Sequence, residues 1–153
     1  MAFAFVAADD LSGSIATESG DPGSSVTFDI VYTNTGPTAI TVSSTSTTLS
    51  DGTNTITAPT ISSVSVPAGD DATVSFSVTI PSTPAGTYTG TVTGTDTGNS
   101  TNTESISYTL TVNSKDSFTT SVSSLSFDLQ DGDESETFTI TNVGSDKRTI
   151  TLN

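Results

Sequence analysis

Between Val26 and Tyr32 every second residue is large and apolar: Val26, Phe28, Ile30 and Tyr32, with Thr27, Asp29 and Val31 between them. A period of two is the spacing at which an extended chain returns its side chains to one side, so one face is buried and the other wet. The pattern recurs in Val74, Phe76, Val78 and Ile80, in Tyr88, Gly90 and Val92, and in Ile106, Tyr108, Leu110 and Val112. Turn-forming residues separate the runs at Asp21-Pro-Gly23, Asn34-Thr-Gly-Pro37, Asp51-Gly52, Pro67-Ala-Gly-Asp70-Asp71 and Pro84-Ala-Gly86. No stretch carries a helical period.

Weaker signals complete the reading. A strand is expected over residues 12–17, a turn over 19–23, and a strand opening at Ile40 and Val42. Residues 43–50, nearly all hydroxylic, read as an exposed strand end or loop. Short strands follow around Ile56 and over 61–66, and a polar loop over 96–103. About seven or eight evenly spaced strands describe an all-β, immunoglobulin-like antiparallel β-sandwich. Its expected core is Val26, Phe28, Ile30, Val74, Phe76, Val78 and Ile80.

Composition needs reconciling with that fold. Apolar residues make up only 31% of the chain, a level that by itself suggests disorder. Roughly 39% of residues are Ser or Thr, far above ordinary usage. Because the two classes alternate, and Thr is both β-branched and polar, the balance suits strands with one dry and one wet face. An ordered β protein is expected.

The stretch Thr27–Gly36 is echoed by Thr137–Gly144, and their Thr-Asn-x-Gly turns lie about 108 residues apart, close to the length of one sandwich domain. Three segments follow: residues 1–10, an apolar stretch; residues 11–113, an immunoglobulin-like sandwich; and residues 114–153, a partial second repeat. The third supplies about three strands, too few to bury a two-sheet core. It reads as part of a longer repeat, as a remnant packed on the first module, or as a sandwich completed by strands from a neighbour. The stretch Met1–Ala8 resembles the tail of an export signal, with Val6 and Ala8 before a cleavage point; it equally reads as an apolar strand. In the second case Ala2, Phe3, Ala4, Phe5 and Val6 form a natural donor strand for an open sheet edge.

Charge narrows the partners. The sequence holds 17 acids against three bases, Lys115, Lys147 and Arg148, for a net charge of −14. Such a field repels phosphate backbones and anionic lipid, which excludes nucleic acid as an expected partner. No apolar run is long enough to span a membrane. With no Cys, disulfides and thiolate metal sites are excluded, and with no His the commonest acid–base group is missing too. No carboxylate pair stands in an apolar setting, so no enzymatic activity and no cofactor is expected.

The best metal candidate is the acid-rich run Asp131, Asp133, Glu134 and Glu136, four carboxylates in one loop that suit calcium, though Asp131-Gly132 also reads as a plain solvated turn. Asn99-Ser-Thr101 is a glycosylation sequon on an expected surface loop, and the many hydroxyls offer further glycan positions. Self-formed isopeptide links require Lys, and none precedes Lys115; ester links use Gln, and Gln130 stands alone. The first module is held by its core.

Residues from about Ser24 to Val112 resemble the immunoglobulin-like modules associated with α-galactosidases and repeated in archaeal and bacterial surface proteins. The carrying residues are Phe28–Gly36, Val66-Pro-Ala-Gly69, Val74–Pro81 and Pro84-Ala-Gly-Thr-Tyr-Thr-Gly90. The resemblance implies a non-catalytic spacer or adhesion module in an extracellular chain. The expected role is structural, in a filament, sheath, stalk or adhesin at the cell surface, with self-association or neighbouring surface domains as partners. The alternative is an accessory carbohydrate-binding or spacer module of a secreted glycoside hydrolase. Tyr88, just after a turn, is expected either to pin that corner through its hydroxyl or simply to fill core.

Overall fold

The computed structural model describes residues 10–115, 118–120, 137–143 and 149. Ten strands build the first module: β1 Leu11–Ile15, β2 Glu18–Gly20, β3 Ser25–Asn34, β4 Ile40–Ser46, β5 Leu49–Ser50, β6 Thr55–Ile56, β7 Val64–Val66, β8 Asp70–Thr79, β9 Gly86–Asp96 and β10 Thr103–Val112. One sheet has the order β1-β3-β8. The other runs β2-β10-β9-β4-β7, with β5 against β9 and β6 against β5. All pairings are antiparallel except β2 on β10. The fold is the expected all-β immunoglobulin-like sandwich.

Registers follow the alternation. Phe28 lies opposite Phe76, Ile30 opposite Val74 and Val26 opposite Val78, so inward residues of β3 and β8 form one continuous apolar layer. Tyr108 and Ile106 of β10 face inward from the other sheet, opposite Gly90 and Val92. At the centre the Phe28 and Phe76 rings stack at 5.4 Å, and Tyr108 meets both edge-on at 5.2 and 5.6 Å. Every expected core residue sits there, Val26 at its partly buried margin. Each fully buried large side chain stabilises the fold by about 1.5–3 kcal/mol.

All three tyrosines are fully or almost fully buried, and each hydroxyl finds a partner. Tyr32 reaches from β3 to Ser44 on β4, 2.9 Å away in the opposite sheet. Tyr108 meets Ser46 at 2.9 Å. Tyr88 donates to the Pro84 carbonyl at 2.9 Å and shares a 2.7 Å bond with Thr83. The two expectations for Tyr88 are therefore met together: it pins its corner and fills core.

Two glycines make room for the rings. A Cβ on Gly94 would stand 2.7 Å from the Tyr32 ring, and one on Gly90 would stand 2.7 Å from Tyr108. These contacts lie inside van der Waals limits, so only glycine fits while the rings keep their places.

Several local expectations need correction. The strand expected over 12–17 stops at Ile15 as β1, a separate strand β2 over Glu18–Gly20 joins the other sheet, and the turn starts only at Asp21. Residues 43–50 are not simply exposed. β4 continues to Ser46 because Ser44 and Ser46 receive the tyrosine hydroxyls, and Leu49 is fully buried. Of residues 61–66 only Val64–Val66 are strand, with Ile61 packed against the core from a loop. Asp70 and Asp71, expected in a turn, open β8, and Asp96, expected in a loop, ends β9 as a buried side chain.

Two outcomes follow from this core. Gly94→Ala should lower stability by about 1–3 kcal/mol in urea unfolding. Gly98→Ala should leave it nearly unchanged, since its Cβ would meet nothing closer than 3.5 Å. Burial, the largest cause, pushes the Tyr32, Tyr88 and Tyr108 phenols above their ordinary value of 10.0, with the hydroxyl partners Ser44, Thr83 and Ser46 opposing part of it. Folding thus favours the neutral phenols, a contribution complete below pH 10 and lost as pH rises past it. Ultraviolet titration should show phenolate appearing above pH 10 in the folded protein and near pH 10 in the urea-unfolded chain.

Candidate functional site

The Asn-x-Gly turn is built around a buried side chain. Asn34 ends β3, and its amide oxygen accepts the Gly36 N–H at 3.0 Å, the local bond that makes Asn a turn former. Its Nδ2 donates to the Thr38 carbonyl at 2.7 Å and the Pro67 carbonyl at 3.1 Å, with Val66 at 3.4 Å the weakest contact. One side chain therefore ties the β3–β4 turn to the β7–β8 turn. Asn34-Thr-Gly36 and Val66-Pro-Ala-Gly69, about thirty residues apart, form a single structural unit. This clamp holds the fold together; it offers no free group to a ligand.

The β5–β6 turn is closed in a similar way. The Asp51 carboxylate accepts the Asn54 N–H at 2.6 Å, the Thr53 N–H at 2.8 Å and the Asn54 side-chain amide at 2.9 Å. The Asn54 bonds, followed by the Thr53 N–H, hold its pKa down to about 2.

Asn99 lies exposed in the β9–β10 loop, where its amide oxygen accepts the Thr101 hydroxyl at 2.8 Å. The sequon therefore sits on the surface loop where it was expected. Beside it a polar cleft of about 340 Å³ is lined by Thr38–Thr41 and Asp96–Asn99. Asp96 is its sole carboxylate, and one of its oxygens already accepts the Gly98 N–H at 2.9 Å. A single engaged carboxylate falls short of what calcium needs.

The calcium candidates Asp131, Asp133, Glu134 and Glu136, and the donor-strand candidates Ala2, Phe3, Ala4, Phe5 and Val6, lie outside the described residues. Among the described residues no group of three or more acids gathers to hold a metal.

Hydroxyls cover both outer faces. On β9 the outward side chains at odd positions from Thr87 to Thr95 are all Thr, each opposite a Ser or Thr on β10. On the other sheet Thr27 meets Ser77 at 3.3 Å, Ser25 meets Thr79 at 3.2 Å, and Ser75 donates to Asp29 at 2.6 Å. These faces are wet and nearly uncharged, and the five aromatic rings of the module all point inward.

Sequence reasoning missed the sheet edges. β2 and β7 bound the larger sheet with three residues each, and β1 bounds the smaller one with five. β8 is different: a ten-residue strand with β3 on one side and, among the described residues, no strand on the other. Its sequence reveals a strand, but whether that strand is central or outermost depends on the tertiary pairing.

A strand pair near the end of the chain matches the register of β1 and β3. β11 (Phe118–Thr120) pairs antiparallel with β12 (Ile140–Asn142), placing Phe118 opposite Asn142, just as Leu11 lies opposite Asn34. Removing the clamp tests its weight. Asn34→Ala should cost about 2–3 kcal/mol, because buried carbonyls lose their donor, whereas Asn99→Ala on the exposed loop should cost little; urea unfolding reads both.

No family model matches the chain, and no curated protein matches it. Solved structures do. A family 123 glycoside hydrolase from Clostridium perfringens superposes with a TM-score of 0.55 at 13% identity, over 67% of this chain and 27% of its own. This chain thus corresponds to about a quarter of that hydrolase. The CARDB domain of the PF1109 protein from Pyrococcus furiosus, a complex with di-metal ions, gives 0.47 at 13% identity, over 74% of this chain and 100% of its own. The ASH/PapD-like domain of human CEP192 gives 0.42 at 14% identity, over 66% and 84%. At such identities the likeness is one of fold, and the fold is an immunoglobulin-like β-sandwich module.

Proposed function

We propose that this chain is a non-catalytic structural module of an extracellular or cell-surface protein, one unit of a repeated string forming a filament, sheath, stalk or adhesin. The observation that carries the reading is the second copy: Phe118 and Asn142 repeat the register of Leu11 and Asn34. Folding units repeated along one chain build length and surface. The hydroxyl-covered faces support the reading, because Thr and Ser keep an extended sheet soluble without basic side chains. Between Asp10 and Ser114 there is no Lys or Arg, so the module carries only negative charge to its surroundings. Neighbouring modules or further copies of the chain, joined through strand exchange, are the partners this reading calls for. Glycan at Asn99 would extend the hydrated surface.

A second reading has one observation in its favour. The hydrolase from Clostridium perfringens contains a domain of this fold within a longer chain, which suits an accessory module of a secreted glycoside hydrolase, as does the resemblance to α-galactosidase-associated modules. Sugar-binding modules of that kind present aromatic rings for stacking, and Phe28, Tyr32, Phe76, Tyr88 and Tyr108 are all buried. The structural reading is therefore preferred.

Incubation with insoluble polysaccharides, followed by sedimentation, separates the two. Under the structural reading the protein stays in the supernatant and releases no reducing sugar. Saturable depletion onto one polysaccharide would overturn that reading in favour of the accessory module, and sugar release would overturn the non-catalytic assignment.

A further inference from the structure

We propose that the open edge of β8, together with the cleft beside it, is an acceptor site for the apolar strand Ala2–Val6 of a second copy of this chain. This deepens the surface-module reading and rests on it.

Backbone direction shows what β8 offers. The Ile80 N–H donates to the Ser24 carbonyl at 2.9 Å, toward β3, and the Ile80 carbonyl accepts the Gly23 N–H at 2.8 Å. Successive residues of a strand point their backbone groups to opposite sides, so Val78, Phe76 and Val74 also face β3. The N–H and C=O groups of Thr73, Ser75, Ser77 and Thr79 then face the open side, and no strand of the module pairs with them. Proteins commonly blunt such an edge by shortening it, or with Lys, Pro or a bulge. β8 is ten residues long, carries none of these, and has acids only at its start, Asp70 and Asp71.

The edge adjoins an apolar hollow. A cleft of about 390 Å³ lies between the β6–β7 loop and the end of β8, lined by Ala58, Pro59, Val78 and Pro81 with Ser77 and Thr79 at its rim. A strand laid along β8 would direct alternate side chains into it. In Ala2–Val6, Phe3 and Phe5 fall on one side and small residues on the other, so main-chain bonds supply affinity and a phenyl ring in the cleft supplies register.

Reach makes the exchange intermolecular. Leu11 lies opposite Asn34, which lies opposite Asp70, so β1 begins at the far end of β8 from the cleft. From there to the level of Val78 is eight residues along the strand, about 27 Å, and three strand spacings across, about 14 Å. The separation is therefore about 30 Å. Extended chain carries Phe5 at most about 22 Å from Leu11, and its side chain does not span the remaining distance of about 8 Å. The Phe5 ring therefore cannot reach the cleft of its own module. A donor at one end and an acceptor at the other make a head-to-tail contact that propagates into open chains.

Two variants of the full chain test this by sedimentation velocity over rising concentration. Ser77→Pro deletes one outward N–H and leaves the β3 ladder intact, so it should fold with an unchanged circular dichroism spectrum. Phe5→Asp disables the donor. The unaltered chain should form concentration-dependent oligomers, and each variant alone should lose every species beyond monomer. An equimolar mixture of the two should restore a single heterodimer, with the Ser77→Pro chain as donor and the Phe5→Asp chain as acceptor. The proposal is overturned if the unaltered chain remains monomeric, if either variant assembles like the parent, or if the mixture stays monomeric. Assembly lost in Ser77→Pro but kept in Phe5→Asp would mean that β8 edges pair with each other, and would overturn it too. All these failures remove strand exchange at β8 and leave the non-catalytic structural role standing, since that role fails on polysaccharide binding or sugar release instead.

Discussion

Tyr32 leaves β3, crosses the space between the sheets beside Gly94, and ends in a 2.9 Å hydrogen bond to Ser44 on β4. The two sheets are held at the distance that this reach allows. A chain with few large aliphatic residues must fill its interior with what it has, and tyrosine supplies a wide apolar ring whose polar end needs an answer. Here each answer comes from a hydroxyl or carbonyl already in a strand or turn. Ser44 and Ser46 are therefore part of the core's design, although composition places them among the surface residues. Gly90 and Gly94 complete it by leaving space where any side chain would collide with a ring.

The Asn34 clamp does for the ends of the sandwich what the tyrosines do for its middle. The turn after β3 and the turn before β8 belong to different sheet connections, and one amide group binds them. Burial makes that amide consequential, because carbonyls deprived of it would face no water in exchange. Thr-Asn-x-Gly recurs in the sequence at Thr141–Gly144, and Asn142 lies opposite Phe118 as Asn34 lies opposite Leu11.

The surface follows a different logic. Acids cluster in turns and strand ends, such as Asp51, Asp70 and Asp71, while the strand faces are covered by Thr and Ser. A nearly uncharged wet face can lie close to another without repulsion, whereas a net charge of −14 spread over the faces could not. That separation leaves the long β8 edge free of charge along most of its length.

Much of the fold was legible in residue order. The period-two runs marked Phe28, Ile30, Phe76, Val78 and Ile80 as core, because alternation is a local property of an extended chain that survives any arrangement of its neighbours. Pro84-Ala-Gly86 before Tyr88 marked the pinned corner. Other features depended on residues distant in sequence, and no local pattern carries them. The passage of the chain from one sheet to the other between β1 and β2, the burial of Leu49, the space that Gly94 leaves for Tyr32, and the bond from Asn34 to Pro67 all arise only when strands are placed side by side. The same holds for the candidate interaction site. The sequence supplied an apolar segment and a long strand, but strand order decided that β8 lies at an edge, because an unpaired backbone exists only where pairing stops, and its ten residues set it apart from the short edges β1, β2 and β7.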